Sequence, residues 1–121
     1  LGYSYADRNI HLQEALAMLQ KAHRLKPEDG YITDSLAWAY YRLGQLDQAL
    51  TLLKKANEQS PKEPTILEHL GDVYLQMGQK STAQEFYRDA VAASVDNPPE
   101  DERERQDLTR IQGKLANLQG K

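Results

Sequence analysis

Residues 35–44 read SLAWAYYRLG and place three aromatic side chains, Trp38, Tyr40 and Tyr41, within four positions of a helix-like segment. The stretch recurs. Leu36, Ala37, Tyr40 and Gly44 reappear as Leu70, Gly71, Tyr74 and Gly78, each 34 residues later. The same step relates Ala15, Ala49 and Ala83, then Leu19, Leu53 and Tyr87, then Ala22, Ala56 and Ala90. Pro27 and Pro61 keep it, and Val95 falls where a third proline would stand. Leu1, Gly2 and Tyr5 lie 35 residues before the second copy, so the first turn, DRNIHL, carries one extra residue. The first copy also lacks its opening residues. So many matches at one spacing define an internal repeat.

The residue types at the repeated positions suit paired helices. Small residues at Ala37, Gly71, Ala49 and Ala83 let two helices approach until their side-chain ridges interlock. Gly44 and Gly78 sit where each first helix must stop and turn. Pro64 and Pro98 suit the first turn of new helices, with Asn97 as a cap and residues 100–102 favourable near the dipole. These signals predict helices over residues 1–8, 12–25, 31–43, 46–59, 64–77, 80–94 and 99–118. The last follows no repeat, yet Leu108, Ile111, Leu115 and Leu118 recur at spacings of 3, 4 and 3, an apolar stripe.

The pairing of Leu36–Ala37–Tyr40 and Leu70–Gly71–Tyr74 helices with Ala49 and Ala83 helices resembles the tetratricopeptide repeat. The resemblance covers residues 1–95. Thr33 and Leu67 replace the usual tryptophan, Ala37 replaces one glycine, and Leu19 and Leu53 replace an aromatic. It implies an all-α fold, a right-handed superhelical stack of helix-turn-helix repeats with a C-terminal capping helix. The expected boundaries are an incomplete first repeat at 1–29, a second at 30–63, a third at 64–97 and the capping helix at 98–121. A terminal helix covers the apolar flank that a stacked repeat leaves open.

Composition narrows the function. The chain has 121 residues, 40% of them hydrophobic and 27% charged, a formal charge of -3 and no cysteine. Residues 98–121 hold five acids and five bases, so residues 1–97 carry the whole -3. Without a basic block there is no nucleic-acid surface, and without a long apolar run no membrane span. Thiolate metal sites and disulfides are excluded. His11, His23 and His69 lie in different repeats without metal-ligand spacing, so no metal site is expected. Glu68 and His69 are adjacent and point about 100° apart on a helix, which is poor geometry for acid–base work. The glycines are isolated turn residues rather than a phosphate loop, so neither catalysis nor a cofactor is expected. The run PPEDERERQD balances its charges and reads as an exposed helical turn with internal pairs.

A helix advances about 100° per residue, which assigns each side chain a direction. With Leu36 at zero, Tyr40, Thr33 and Ala37 fall within about 100° and define a packing face. Tyr31, Asp34, Trp38, Tyr41 and Arg42 fall on the opposite side. In the third copy Thr65, Glu68, Asp72, Leu75 and Gln76 fall there, and in the first Tyr3, Ala6 and Asp7. In tetratricopeptide proteins the first helices line a concave groove that holds a peptide or partner element. The resemblance therefore implies a partner-binding surface of Tyr3, Asp7, Tyr31, Asp34, Trp38, Tyr41, Arg42, Glu68, Asp72, Leu75 and Gln76. Its acids, relieved mainly by Arg42, favour a ligand with basic and apolar residues. The plainer alternative is that Trp38 and Tyr41 pack against neighbouring repeats and that the acids are simply solvated. Receptors for chaperone C-terminal carboxylates need Lys and Asn on successive turns. Here Asp34, Trp38, Ser35, Thr65 and His69 occupy those places, which argues against that role.

Two functions follow. The first is a non-catalytic scaffold or adaptor module binding a partner's peptide or helix in the groove. The second is a structural element making homo-oligomers through the exposed N-terminal repeat edge or the C-terminal helix. The phrases LGYSYADR, YITDSLAWAYYRLG and ILEHLGDVYLQMGQ are also similar to the C-terminal repeats of larger bacterial tetratricopeptide proteins. With no Met at Leu1, the chain reads as an excerpt from such a parent. Bacterial cytoplasm and periplasm or envelope both remain open as its location.

Overall fold

A computed structural model of the protein describes residues 5–119, with side chains described over 11–119. The described residues form six α-helices: α1 (Tyr5–Leu25), α2 (Gly30–Arg42), α3 (Leu46–Gln59), α4 (Pro64–Gln76), α5 (Lys80–Asp96) and α6 (Glu102–Gln119). No strand occurs among them. They fall into two compact units, one ending at Gln59 and holding α1–α3, the other beginning at Ser60 and holding α4–α6.

The repeat signals act where the sequence places them. Gly44 and Gly78 adopt φ of 80° and 81°, left-handed values that glycine reaches without a side-chain clash. At each, two backbone bonds close the helix end. Gly44 and Gln45 donate to the carbonyls of Tyr41 and Tyr40, and Gly78 and Gln79 donate to those of Leu75 and Tyr74, at 2.9–3.0 Å. Asp29 caps α2 by accepting from the backbone N–H groups of Tyr31 and Ile32 at 2.9 and 3.1 Å. Pro64 opens α4, where its missing N–H costs nothing.

Two boundaries differ from expectation. The turn predicted near residues 9–11 is absent, and α1 runs through it as one helix. Its sequence holds Asn9 where the later copies hold Gly44 and Gly78, so nothing there makes a left-handed stop cheap. At the other end, Asn97 is not the N-cap of the last helix but the C-cap of α5, donating to the Ala93 carbonyl at 3.0 Å. Helix α6 starts three residues later than the sequence reading placed it, with the Asp101 carboxylate accepting from Glu104 N–H at 2.8 Å. Asn97 and Pro98 each precede a proline, which disfavours helical backbone and holds the segment extended.

Within the first unit, Leu16 of α1 packs with Leu36 and Ala39 of α2, flanked by Leu19, Tyr40, Leu43 and Leu52. Gln20 Nε2 donates to the Tyr40 hydroxyl at 3.0 Å, so Tyr40 belongs to this interior side of α2. The Thr33 hydroxyl donates to Gln59 Oε1 at 2.9 Å, and Gln59 Nε2 donates to the Pro27 carbonyl at 2.8 Å. That bridge ties the end of α3 to the start of α2 and the segment before it. In the second unit Ile66, Leu70, Val73, Ala83, Tyr87, Ala90 and Ile111 are essentially inaccessible. A Cβ added to Gly71 would lie 2.5 Å from the Tyr87 ring, so α4 and α5 approach closely only because that position has no side chain. Tyr74 and Phe86 stack beside them with centroids 5.4 Å apart.

Candidate functional site

On α2, the face opposite Leu36 carries an aromatic group. Trp38 and Tyr41 stack with ring centroids 4.5 Å apart and planes 17° from parallel. Both are half-buried. Tyr31, two turns before Trp38 on the same side of the helix, is 60% exposed, and Arg42 is exposed beside Tyr41. Asp34 is buried, contrary to its expected place on an open acidic surface. On the opposite side of α2, Tyr40 borders an open depression of about 310 Å³ with Asp47, Gln48, Thr51 and Leu52.

The matching face of α4 is closed. Glu68 is 1% exposed and Asp72 is buried, and both are engaged by α6. The Arg110 guanidinium grips Glu68 with two hydrogen bonds of 2.7 Å. Lys114 Nζ lies 2.7 Å from Glu68 and 3.0 Å from both Asp72 oxygens. Tyr87 of α5 donates its hydroxyl proton to Asp72, and Asp107 holds the outer edge of Arg110 at 2.9 Å. Burial alone would push the Glu68 carboxyl up. The hydrogen bonds and charges of Arg110 and Lys114 outweigh it and hold Glu68 below the usual carboxylate range. Lys114 shows the same contest: burial opposes its charge, while Glu68 and Asp72 prevail and raise it. Arg110 is driven higher still, first by its hydrogen bond to Glu68.

This corrects the expectation that Glu68 and Asp72 line an open surface relieved by Arg42. That face of α4 is covered by α6. The apolar stripe of α6 behaves as expected, with Ile111 fully buried and Leu108, Leu115 and Leu118 half-buried. Arg110 and Lys114 were absent from the sequence reading of the site. A signal for them existed: they stand four residues apart on one shoulder of that stripe, as Glu68 and Asp72 do on α4.

The remaining expected residues divide as follows. Leu75, 38% exposed, and the exposed Gln76 lie near the C-terminal end of α4, beyond the ion network. Tyr3 lies outside the described residues, and so does the side chain of Asp7. His69 is half-buried, and the described residues contain no group of three or more His, Asp or Glu side chains placed to hold a metal. No described helix is long and apolar enough to cross a membrane. In the run after Pro98, Arg105 pairs with Glu102 one turn away at 3.1 Å, the internal pairing that its balanced charge suggests.

Helices paired at a 34-residue period, each pair closed by the same glycine turn, define a helical-repeat protein. The TPR repeat family model matches residues 37–78, and the tetratricopeptide repeat model matches residues 64–95. A TPR repeat-containing protein of Pseudomonas aeruginosa is 48% identical over 46 residues, which are 38% of this chain and 8% of that protein. The chain thus spans under a tenth of the curated relative it matches. Residues 37–95 thus carry tetratricopeptide repeats.

Solved structures share the fold. A thermophilic TPR protein from Thermus thermophilus superposes with a TM-score of 0.72 at 25% identity, covering 91% of this chain and 54% of that one. The type III secretion chaperone SycD of Yersinia enterocolitica, in complex with a peptide of the translocator YopD, superposes with a TM-score of 0.78 at 19% identity. The match covers 93% of this chain and 82% of that one.

Proposed function

We propose that the chain is a non-catalytic protein-interaction module, a piece of a larger bacterial scaffold or adaptor, that binds a peptide or helix of a partner on the aromatic face of α2. The repeat boundaries proposed for it are those of the sequence reading, with 30–63 as the binding repeat. The observation that carries the proposal is the Trp38–Tyr41 stack beside the exposed Tyr31. Aromatic side chains held rigidly by one another lose little entropy on binding, and tryptophan and tyrosine dominate interface hot spots. The peptide-bound SycD structure supports the class of function, since the same fold carries a peptide there. The exposed Arg42 flanks the aromatics while Asp34 is buried, so the favoured ligand combines apolar side chains with an acidic group able to pair with Arg42. Self-association through α6 is the weaker reading, because its apolar stripe is already engaged within the second unit.

Selection of short peptides from a random display library against the purified chain tests the proposal. The selected peptides should bind Trp38→Ala at least about 30-fold more weakly, the equivalent of about 2 kcal/mol at a hot spot. Equal calorimetric affinity for Trp38→Ala and the unaltered chain would refute it.

A further inference from the structure

The second and third repeats treat one place on their helix pairs differently. Tyr40, Asp47, Gln48, Thr51 and Leu52 stand 34 residues before Tyr74, Ser81, Thr82, Glu85 and Phe86. In the third repeat the Phe86 ring lies on Tyr74, with centroids 5.4 Å apart and planes 7° from parallel. In the second repeat leucine stands where that phenylalanine would, and the five residues line the open depression of about 310 Å³ beside Tyr40. Leucine is smaller than phenylalanine and has no flat face to lay on the tyrosine. An apolar cavity of about 150 Å³ holds a benzene molecule, so the depression has room for one aromatic side chain and part of the chain that carries it. Both of its walls are fixed from behind. Gln20 holds the Tyr40 hydroxyl at 3.0 Å, and Leu52 packs against the cluster of Leu16, Leu36 and Ala39.

We infer that this depression accepts one phenylalanine or tyrosine side chain of a partner protein, carried next to a lysine or arginine. The site lies between Tyr40 and the flank of α3, on the other side of α2 from Trp38 and Tyr41, and does not depend on that aromatic face binding anything. The chain holds its own template, since Phe86 on Tyr74 shows how a ring seats against this tyrosine. Parallel ring contact adds to what burial of apolar area alone provides. Thr51 donates its hydroxyl to the Asp47 carbonyl at 3.0 Å, and the Tyr40 hydroxyl accepts from Gln20, so both hydroxyls of the lining are engaged and the interior favours an apolar guest. The charge preference comes from Asp47. Of the five lining residues it alone is charged at neutral pH, and it is exposed in the first turn of α3. A cation beside the ring is attracted there and an acid is repelled. Because the depression is open outward, a free aromatic molecule would be covered on one side only. A ring on a chain that also meets Asp47 gains both contacts.

The test titrates the full, unaltered chain with the peptide acetyl-Ala-Phe-Lys-Ala-amide and follows methyl NMR signals. The ring current of a bound phenylalanine should shift the Leu52 and Thr51 methyls in a saturable way. The Trp38 indole signal reports separately on the aromatic face of α2, so either site can fail without the other. Replacing the peptide's Phe by Ala should weaken binding at least about tenfold, and replacing its Lys by Glu at least about threefold. Asp47→Lys, at an exposed position, should weaken binding of the original peptide at least about threefold. Leu52→Phe recreates the third-repeat pair, so it should fill the depression and abolish the Thr51 shift. Methyls that ignore the peptide, equal binding without its Phe, or undiminished binding by Asp47→Lys or Leu52→Phe would each overturn the proposal. Tighter binding of free benzyl alcohol than of the peptide would overturn it by making the guest a small molecule. Shifts of the same methyls with chain concentration alone, lost in Tyr31→Ala, would overturn it by making a second copy's tyrosine the guest.

Discussion

Asp34 and Trp38 on α2 occupy the same repeat positions as Glu68 and Asp72 on α4, yet the two faces have opposite characters. On α2 the second position is an aromatic stacked on Tyr41, with Tyr31 exposed nearby. On α4 both positions are acids locked under α6 by Arg110 and Lys114. The helix pairs beneath differ in a compensating way. The second unit sets Gly71 against the large Tyr87, whereas the first holds Ala37 and Leu53, both fully buried, at the matching positions. One repeat framework therefore carries two surface chemistries, and a change in bulk on one helix is offset on the other.

Removing the cations from α6 should have the largest effect. Arg110→Ala/Lys114→Ala leaves the inaccessible Glu68 without counter-charge, and because both cations are partly exposed the cost should be about 3 kcal/mol, at the low end for a broken buried pair. Chemical denaturation measures it. A loss below about 1 kcal/mol would mean that water replaces the network and that the two faces differ less than described.

Next comes the steric exchange. Gly71→Ala drives a methyl into the Tyr87 ring and should cost about 1–3 kcal/mol, while Ala37→Gly should cost about 1 kcal/mol through helix propensity. Adding Tyr87→Leu to Gly71→Ala recreates the first unit's pair. A double-mutant cycle should then recover much of the steric penalty, although the Tyr87–Asp72 hydrogen bond is lost. Additive effects would show that the two positions do not compensate.

The glycine turns should instead treat both units alike. Gly44→Ala and Gly78→Ala each force a side chain into φ near 80° with no steric neighbour, so each should cost about 1 kcal/mol. Thermal melts check the equality.

The smallest effect concerns pH. Glu68 has a folded pKa below its unfolded value, so its contribution is fully present above pH 4.5 and is lost as pH falls through the folded value. The facing groups are Arg110, Lys114 and Asp107 of α6, Asp72 of α4 and Tyr87 of α5. Stability of the unaltered chain should therefore fall more steeply below pH 4.5 than that of Glu68→Gln, and identical acid limbs would remove Glu68 as the cause.

The sequence made the helices legible wherever a local device set their ends. The 34-residue step, the two glycine turns and Pro64 located α2 to α5 closely because each is a backbone constraint residing in one or two residues. The start of α1 was misread because periodicity alone suggested a turn where Asn9 replaces the needed glycine. The site was only half legible. Helical direction separated Tyr40, which bonds to Gln20, from Trp38 and Tyr41, which stack with each other. It could not show that α6 would cover α4, because that depends on matching two helices about forty residues apart in the chain. Directions on a single helix tell which side a residue takes, not what lies opposite.

The account's central claim is that the aromatic side of α2 receives the partner. Two-dimensional nitrogen–proton NMR of the full chain, titrated with its tightest display-selected peptide, tests this most directly. The account predicts that the Trp38 indole N–H and the backbone amides of Tyr31 and Tyr41 shift most, with α5 little changed. Shifts confined to α3, α5 or α6, with the Trp38 indole signal unmoved, would contradict it.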